Sequence, residues 1–130
     1  MPSASTISLD DGQSTPVSHD FAPRVQVGPE NILLINDEAD TSAGQMKLQL
    51  GFSAASSKRP TNRVKVSFTY PVEQTVDGVV RVAYTARFNG EVVLPEEMTQ
   101  AQRDDMAAFI GNALSHATVA GYVSDLDPMF

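Results

Sequence analysis

The 130-residue chain has no cysteine, which excludes both a disulfide framework and a thiolate metal site. Its two histidines, His19 and His116, are isolated in sequence, and neither has a partner at ligand spacing, so no metal is expected. No Gly-rich phosphate-binding loop occurs, and no serine sits in a nucleophile-elbow context. Carboxylates are left as candidates for acid–base chemistry, and Glu91 is a lone acid with no partner nameable on its face. Neither an enzyme activity nor a cofactor nor a small-molecule substrate is expected. No apolar run approaches the roughly 20 residues that span a bilayer, so no membrane partner is expected. The Met-Pro-Ser-Ala start lacks a basic region and an apolar run, so a cytoplasmic site of synthesis is expected.

A net charge of -7 argues at first against a nucleic-acid partner, because phosphate contacts require Lys and Arg. The distribution reverses that impression. Residues 45 to 91 hold Lys47, Lys58, Arg59, Arg63, Lys65, Arg81 and Arg87 against Glu73, Asp77 and Glu91, a balance of +4 that leaves -11 elsewhere. Such segregation gives one surface suited to polyanions and another that repels them.

The same segment carries the clearest pattern. Leu48, Leu50 and Phe52 alternate with polar residues, as do Val64, Val66, Phe68 and Tyr70, and then Val80, Val82, Tyr84, Ala86 and Phe88, followed by Val92 and Leu94. A period of two sustained this long predicts antiparallel strands with one buried face. The opposite face reads Lys47, Gln49, Ser53, Arg63, Lys65, Ser67, Thr69, Arg81, Thr85, Arg87 and Asn89, a polar and basic surface.

Upstream, residues 5–19 predict a short hairpin, with Ile7 and Leu9 alternating and Asp11-Gly12 as a tight-turn signal. Residues 20–31, with Pro23, Gly28 and Pro29, predict a connector, and Ile32–Ile35 a short strand. The acidic stretch 36–44 lacks the closing Glu of a calcium loop and predicts a solvated turn. Lys58 and Arg59 fall in a turn at 57–62 that extends the basic face, Pro71 predicts a strand end, residues 71–78 a loop closing on Asp-Gly, and Gly90 a bend or bulge. The sheet is thus expected over 32–94. Helices are expected over 99–127: Thr99 and Gln102 form a capping box, Asp104 and Asp105 suit the first turns, and Met106, Phe109, Ile110, Ala113 and Leu114 make one apolar stripe assigned to the core. His116 reads as a favourable helix C-terminal residue, and a second short helix is expected around Val119–Leu126.

The expected class is therefore α+β: an N-terminal β-hairpin, a five-stranded antiparallel sheet and two C-terminal helices in a single domain, 1–130. Five strands make a sheet roughly 24 Å wide, whereas a helix is about 10 Å across. One amphipathic helix and a short tail leave much of the apolar face uncovered, which predicts a two-fold dimer whose helices cover the partner's sheet.

This order of elements resembles the coat proteins of small single-stranded RNA bacteriophages, the leviviruses. QTVDGV (74–79) is similar to the family's Gln-Thr-Val-Gly-Gly-Val loop, and Asn89-Gly90-Glu91 to its Asn-x-Glu. Phe130 stands where the family tends to have Tyr. The resemblance implies an intertwined dimer with a continuous ten-stranded sheet, assembled as the capsid of a virion in an icosahedral shell of the triangulation-number-three kind. The sheet would face the single-stranded RNA genome, and the 71–78 loop would lie at the vertices, made adaptable by Gly78. It also implies binding of a genomic RNA hairpin, which represses replicase translation and nucleates packaging. Asn89 and Glu91 match positions of RNA recognition. Ser53, Lys65 and Ser67 fall on the strands that supply the family's pocket for an unpaired adenine, and Arg87 stands where relatives often place a stacking Tyr. The residues themselves assign phosphate attraction to Lys47, Arg63, Lys65, Arg81 and Arg87, and base contacts to Asn89, Glu91, Gln49 or Ser53. A non-viral dimeric RNA- or ligand-binding module on the same face is the alternative, and assembly separates the two.

Overall fold

The structure, a computed structural model, describes residues 4–27 and 31–128; Gly28 and Pro29 of the expected connector, and Phe130, lie outside them. Two compact units divide the chain, Met1–Val93 and Leu94–Phe130. The elements are β1 (Ile7–Asp10), β2 (Ser18–Val27), β3 (Asn31–Ile35), β4 (Lys47–Ser53), β5 (Thr61–Val76), β6 (Val79–Pro95), α1 (Gln100–Ser115) and α2 (Ala117–Ser124).

The strands lie in one sheet in sequence order, with β1 and β6 as its edges. There are six strands, not five, and the hairpin belongs to the sheet instead of standing before it. The difference arises in β2. Phe21 pairs with Ile7 of β1 while Ala22 pairs with Ile35 of β3, so one strand spans the expected hairpin and the expected connector. Pro23 is tolerated because the register shifts between Pro23 and Val25, and proline within sheets is confined to edges and bulges. Asp11-Gly12 is not a two-residue turn: β1 and β2 are joined by residues 11–17, and Asp11 N–H donates to Val17 O at 3.0 Å.

Period-two patterning fixes the core. Leu34 pairs with Leu48 and Leu48 with Phe68; Ile32 pairs with Leu50 and Leu50 with Val66. Phe21 meets Phe68 edge-on, with ring centroids 5.7 Å apart. Phe21, Leu34 and Leu48 are the buried apolar core among the described residues. Phe52, Tyr70, Tyr84 and Phe88, of the same alternating pattern, stay exposed.

Pro71 does not end β5. β4 covers β5 only from Arg63 to Thr69, so Pro71 stands beyond the reach of β4 and removes no bond of that ladder. The strand continues to Val76, and the two-residue turn Asp77-Gly78 leads into β6. Both turn residues have positive φ (53° and 78°), the signature of a type I′ hairpin turn, which matches the twist of the flanking strands. β6 runs unbroken through Gly90, where a Cβ would come 3.0 Å from the ring of Phe88. The glycine accommodates that ring; no break in the strand occurs there.

The acidic stretch 36–44 is tied down and does not simply face solvent. Asn36, 2 % exposed, donates its Nδ2–H to Asp20 O and accepts from Glu38 N–H. Arg24 pairs with Asp37 at 3.3 Å. Glu73 of β5 accepts from Asp40 N–H (3.0 Å), Thr41 N–H (3.1 Å) and the Thr41 hydroxyl (2.7 Å). The Thr41 hydroxyl bond, with the two backbone bonds, holds the Glu73 carboxyl below its ordinary value.

In the second unit, Thr99 caps α1 in a complete capping box with Gln102. Asp104 lies in the second turn, where it accepts from Gln100. His116 ends α1 and also caps α2, its Nδ1 accepting from Thr118 N–H, so it serves the second helix and not only the end of the first. α2 closes at Leu126, whose φ of 54° is left-handed, a conformation usual just past a helix end. The stripe expected as core is not core in this chain: neither helix has a buried residue, and Phe109 and Leu114 are 69% and 54% exposed. Among the described residues no helix is long and apolar enough to cross a membrane.

The Glu73 clamp explains Gly44, where a Cβ would lie 2.4 Å from Glu73 Cδ. Gly44→Ala is expected to expel the carboxylate and lower the urea midpoint as Glu73→Ala does. The double variant should lose little more than either single one, because both remove the same contacts; additive losses in a double-mutant cycle would show that the clamp is not the reason for the glycine.

Candidate nucleic-acid interface

One register builds the polar face. Lys47 pairs with Thr69, Gln49 with Ser67, Gly51 with Lys65 and Ser53 with Arg63. Directly opposed residues of neighbouring strands project from the same side of the sheet. Lys47, Gln49, Ser53, Arg63, Lys65 and Ser67 therefore form two adjacent rows on one surface. On β6, Glu91 joins it through an ion pair with Arg63 at 3.3 Å. Asn89, Arg87 and Arg81 stand at alternate positions along β6 from Glu91, and the Arg63 contact is what ties this strand to the rows. Arg81 is set apart: it follows the Asp77-Gly78 turn closely, roughly 20 Å along the strand from Arg87.

The connection between β4 and β5 extends these rows. Ser56 and Arg59 exchange backbone bonds of 2.8 and 3.1 Å, placing Ser57 and Lys58 at the tip of the turn. Arg59 folds back and donates to the Ser53 hydroxyl and to Ala54 O, so Ser53 is already engaged. Lys47, Lys65, Arg81 and Arg87 carry no ion pair among the described residues, whereas Glu91 offsets the charge of Arg63.

A pocket of about 230 Å³ opens between these rows, lined by Asn31, Gly51, Phe52, Ser53, Arg63 and Lys65. Gly51 creates the space, because it presents no side chain between Asn31 and Lys65, its partners on either strand. Asn31 and Gly51 escape a reading based on polar alternation. The available signal is a glycine inside a strand, which often marks close approach by a ligand or another backbone. The polar surface also stops at β3, where Leu33 and Ile35 stand opposite Gln49 and Lys47. Cationic rows attract phosphates, and a pocket flanked by amide, hydroxyl and cationic groups suits a flat polar ring.

The chain belongs to the levivirus coat protein family, whose sequence profile matches residues 2–130. It is similar in structure to the virus-like particle of bacteriophage NT-214, at 27% identity and a TM-score of 0.86, covering 97% of this chain and 98% of that one. The virus-like particle of bacteriophage ESE058 is similar at 25% identity and a TM-score of 0.84, covering 99% and 100%. That of Beihai levi-like virus 21 shares the fold at 20% identity and a TM-score of 0.88, covering 99% of each chain. Among curated protein sequences none matches.

The Arg63–Glu91 pair gives a direct check on the charge map. Glu91→Gln should change stability by less than about 1 kcal/mol, as for other surface pairs, yet free one cation on the face. The variant should elute from a heparin column at higher salt than the parent; an unchanged elution position would mean that Arg63 does not face bound polyanions.

Proposed function

We propose that this capsid protein forms intertwined dimers with a continuous ten-stranded sheet. The dimers close an icosahedral, triangulation-number-three-like shell around single-stranded genomic RNA in the bacterial host cytoplasm. A genomic RNA hairpin, bound on the same sheet face, represses replicase translation and nucleates packaging. The observation that carries this reading is one ordered basic face on β4 and β5, together with large apolar side chains exposed on the strands and, separately, on the helices. Apolar side chains on β5, β6 and both helices remain in solvent, and exposed apolar surface of that extent marks an association surface. The structural likeness to virus-like particles supports assembly over the alternative of a free-standing RNA- or ligand-binding module.

In this reading Lys47, Arg63, Lys65, Arg81 and Arg87 supply phosphate attraction, which is salt-dependent and largely indifferent to sequence. Gln49, Ser53, Ser67, Asn89 and Glu91, with Asn31 beside them, supply contacts to unpaired bases, and the guanidinium plane of Arg87 stacks on one. Ser53 acts through the Arg59 bond that holds its hydroxyl, and Glu91 orients Arg63 as well as accepting from a base.

Expression of the chain alone in bacteria, with negative-stain microscopy of the sized fraction and its ultraviolet absorbance ratio, tests assembly. Uniform spheres containing nuclease-protected RNA are expected, and an RNA-free dimer that never closes a shell would refute the proposal. Arg87→Ala should leave the dimer intact and weaken hairpin binding. It should also reduce the slope of log affinity against log salt by about 0.7, the value for one single-strand phosphate contact; an unchanged affinity and slope in filter binding would remove Arg87 from the site.

A further inference from the structure

His19, isolated in the sequence, is bonded on both sides in the structure. Its Nε2 lies 3.0 Å from Asp11 Oδ2, and its Nδ1 lies 2.7 Å from Glu38 Oε2. A neutral imidazole has one N–H, so one of these contacts would set a lone pair against a carboxylate. Both are satisfied only when the ring carries two protons. The geometry therefore selects the imidazolium. It also argues against a shared metal ion, because the two ring nitrogens point in different directions and their carboxylates do not converge on one point.

The Asp11 carboxylate and the Glu38 backbone are each held in place. The other oxygen of Asp11 accepts from Gln13 N–H (3.2 Å) and Val17 N–H (3.1 Å), closing the 11–17 loop. Glu38 follows the buried Asn36, which accepts its backbone N–H and bonds Asp20 O. The ring thus joins two separately braced loops. It also stands at the rim of a pocket of about 440 Å³ whose apolar lining includes Leu9, Phe21, Met46 and Phe68.

We infer that His19 is a pH-operated clasp: as an imidazolium it ties the 11–17 loop, which lines this pocket, to the 36–44 loop, and on losing its proton it releases them. The surroundings are acidic on every side. Asp10 of β1 lines the same pocket, Asp20 is bonded by the Ser8 hydroxyl, Asp37 is occupied by Arg24 of the same strand as His19, and Asp40 lies in the 36–44 loop. The bonds to Asp11 and then Glu38 hold the ring above its ordinary 6.5. His19 in turn, with the Val17 and Gln13 amides, holds Asp11 below its ordinary 3.8.

The signs follow by linkage. The raised histidine contributes fully below 6.5 and loses its contribution as pH climbs through its folded value. The lowered Asp11 contributes above 3.8 and loses its contribution as pH falls through its folded value. The clasp is closed in mildly acidic solution and opens on the alkaline side. None of the residues of the basic face takes part, so its operation is separable from RNA binding.

The test is hydrogen–deuterium exchange of the protein between pH 5.5 and 9, with amide protection corrected for the intrinsic pH dependence of exchange. Exchange at the histidine C2 position in the same samples gives the His19 midpoint. A midpoint above 6.5 is expected, with peptides covering 11–19 and 36–40 losing protection together as pH passes it. His19→Gln should lack protection in both segments at pH 6 and show no step. Glu38→Gln, a milder exposed change, should bring the midpoint down towards 6.5. A midpoint at or below 6.5, protection that does not change across it, or a step that survives in His19→Gln would overturn the clasp.

Discussion

The register between β4 and β5 is the constraint on which the rest depends. Seven consecutive pairs, from Lys47↔Thr69 to Ser53↔Arg63, settle which side chains share a side of the sheet. A slip of β5 by one residue would carry Val66 and Phe68 to the polar surface and turn Lys65 towards the core. As the Leu34–Leu48 pair depends on the β3–β4 register, so the Phe21–Phe68 contact and the two basic rows depend on that alignment. The short Ser56–Arg59 turn enforces it locally, and Ala55 N–H bonding to Asn62 Oδ1 braces the same connection.

The buried core is small because alternation supplies only half of a core. Each strand offers one apolar face, and a second layer must lie against it for burial to be complete. In the first unit Phe21 and its neighbours provide such a layer over part of β3, β4 and β5, and the remaining apolar positions have none. The helices show the complementary condition, with apolar side chains and no buried residue. Stability of the isolated chain and stability of its assembled form are accordingly different quantities.

Much of the fold was legible in the sequence because alternation and capping are local signals. The strands around 47–53 and 63–70, the Thr99–Gln102 box and the polar face all follow from residues close in the chain. The errors share one cause. Pro23 and Pro71 look like strand ends when each is judged alone, but whether a proline costs a bond depends on which neighbour flanks it, and that is set by register across the sheet. The acidic stretch looks solvated for the same reason: its partners Arg24 and Glu73 lie 13 and 33 residues from the atoms they bind. At the interface, polar alternation found the rows and missed Gly51, since a cavity is made by the side chain that is not there.

The two edges of the sheet are unequal, and the inequality bears on how strand pairing terminates. β1 is four residues long, whereas β6 is 17. Unpaired strand edges are templates for further strands, and unlimited addition at both ends gives filaments. Addition through β6 would join two sheets along their long edges and leave only two four-residue edges outermost, each too short to recruit another strand with comparable strength. In the proposed dimer, growth by this route would stop at two copies and would not run on into fibres.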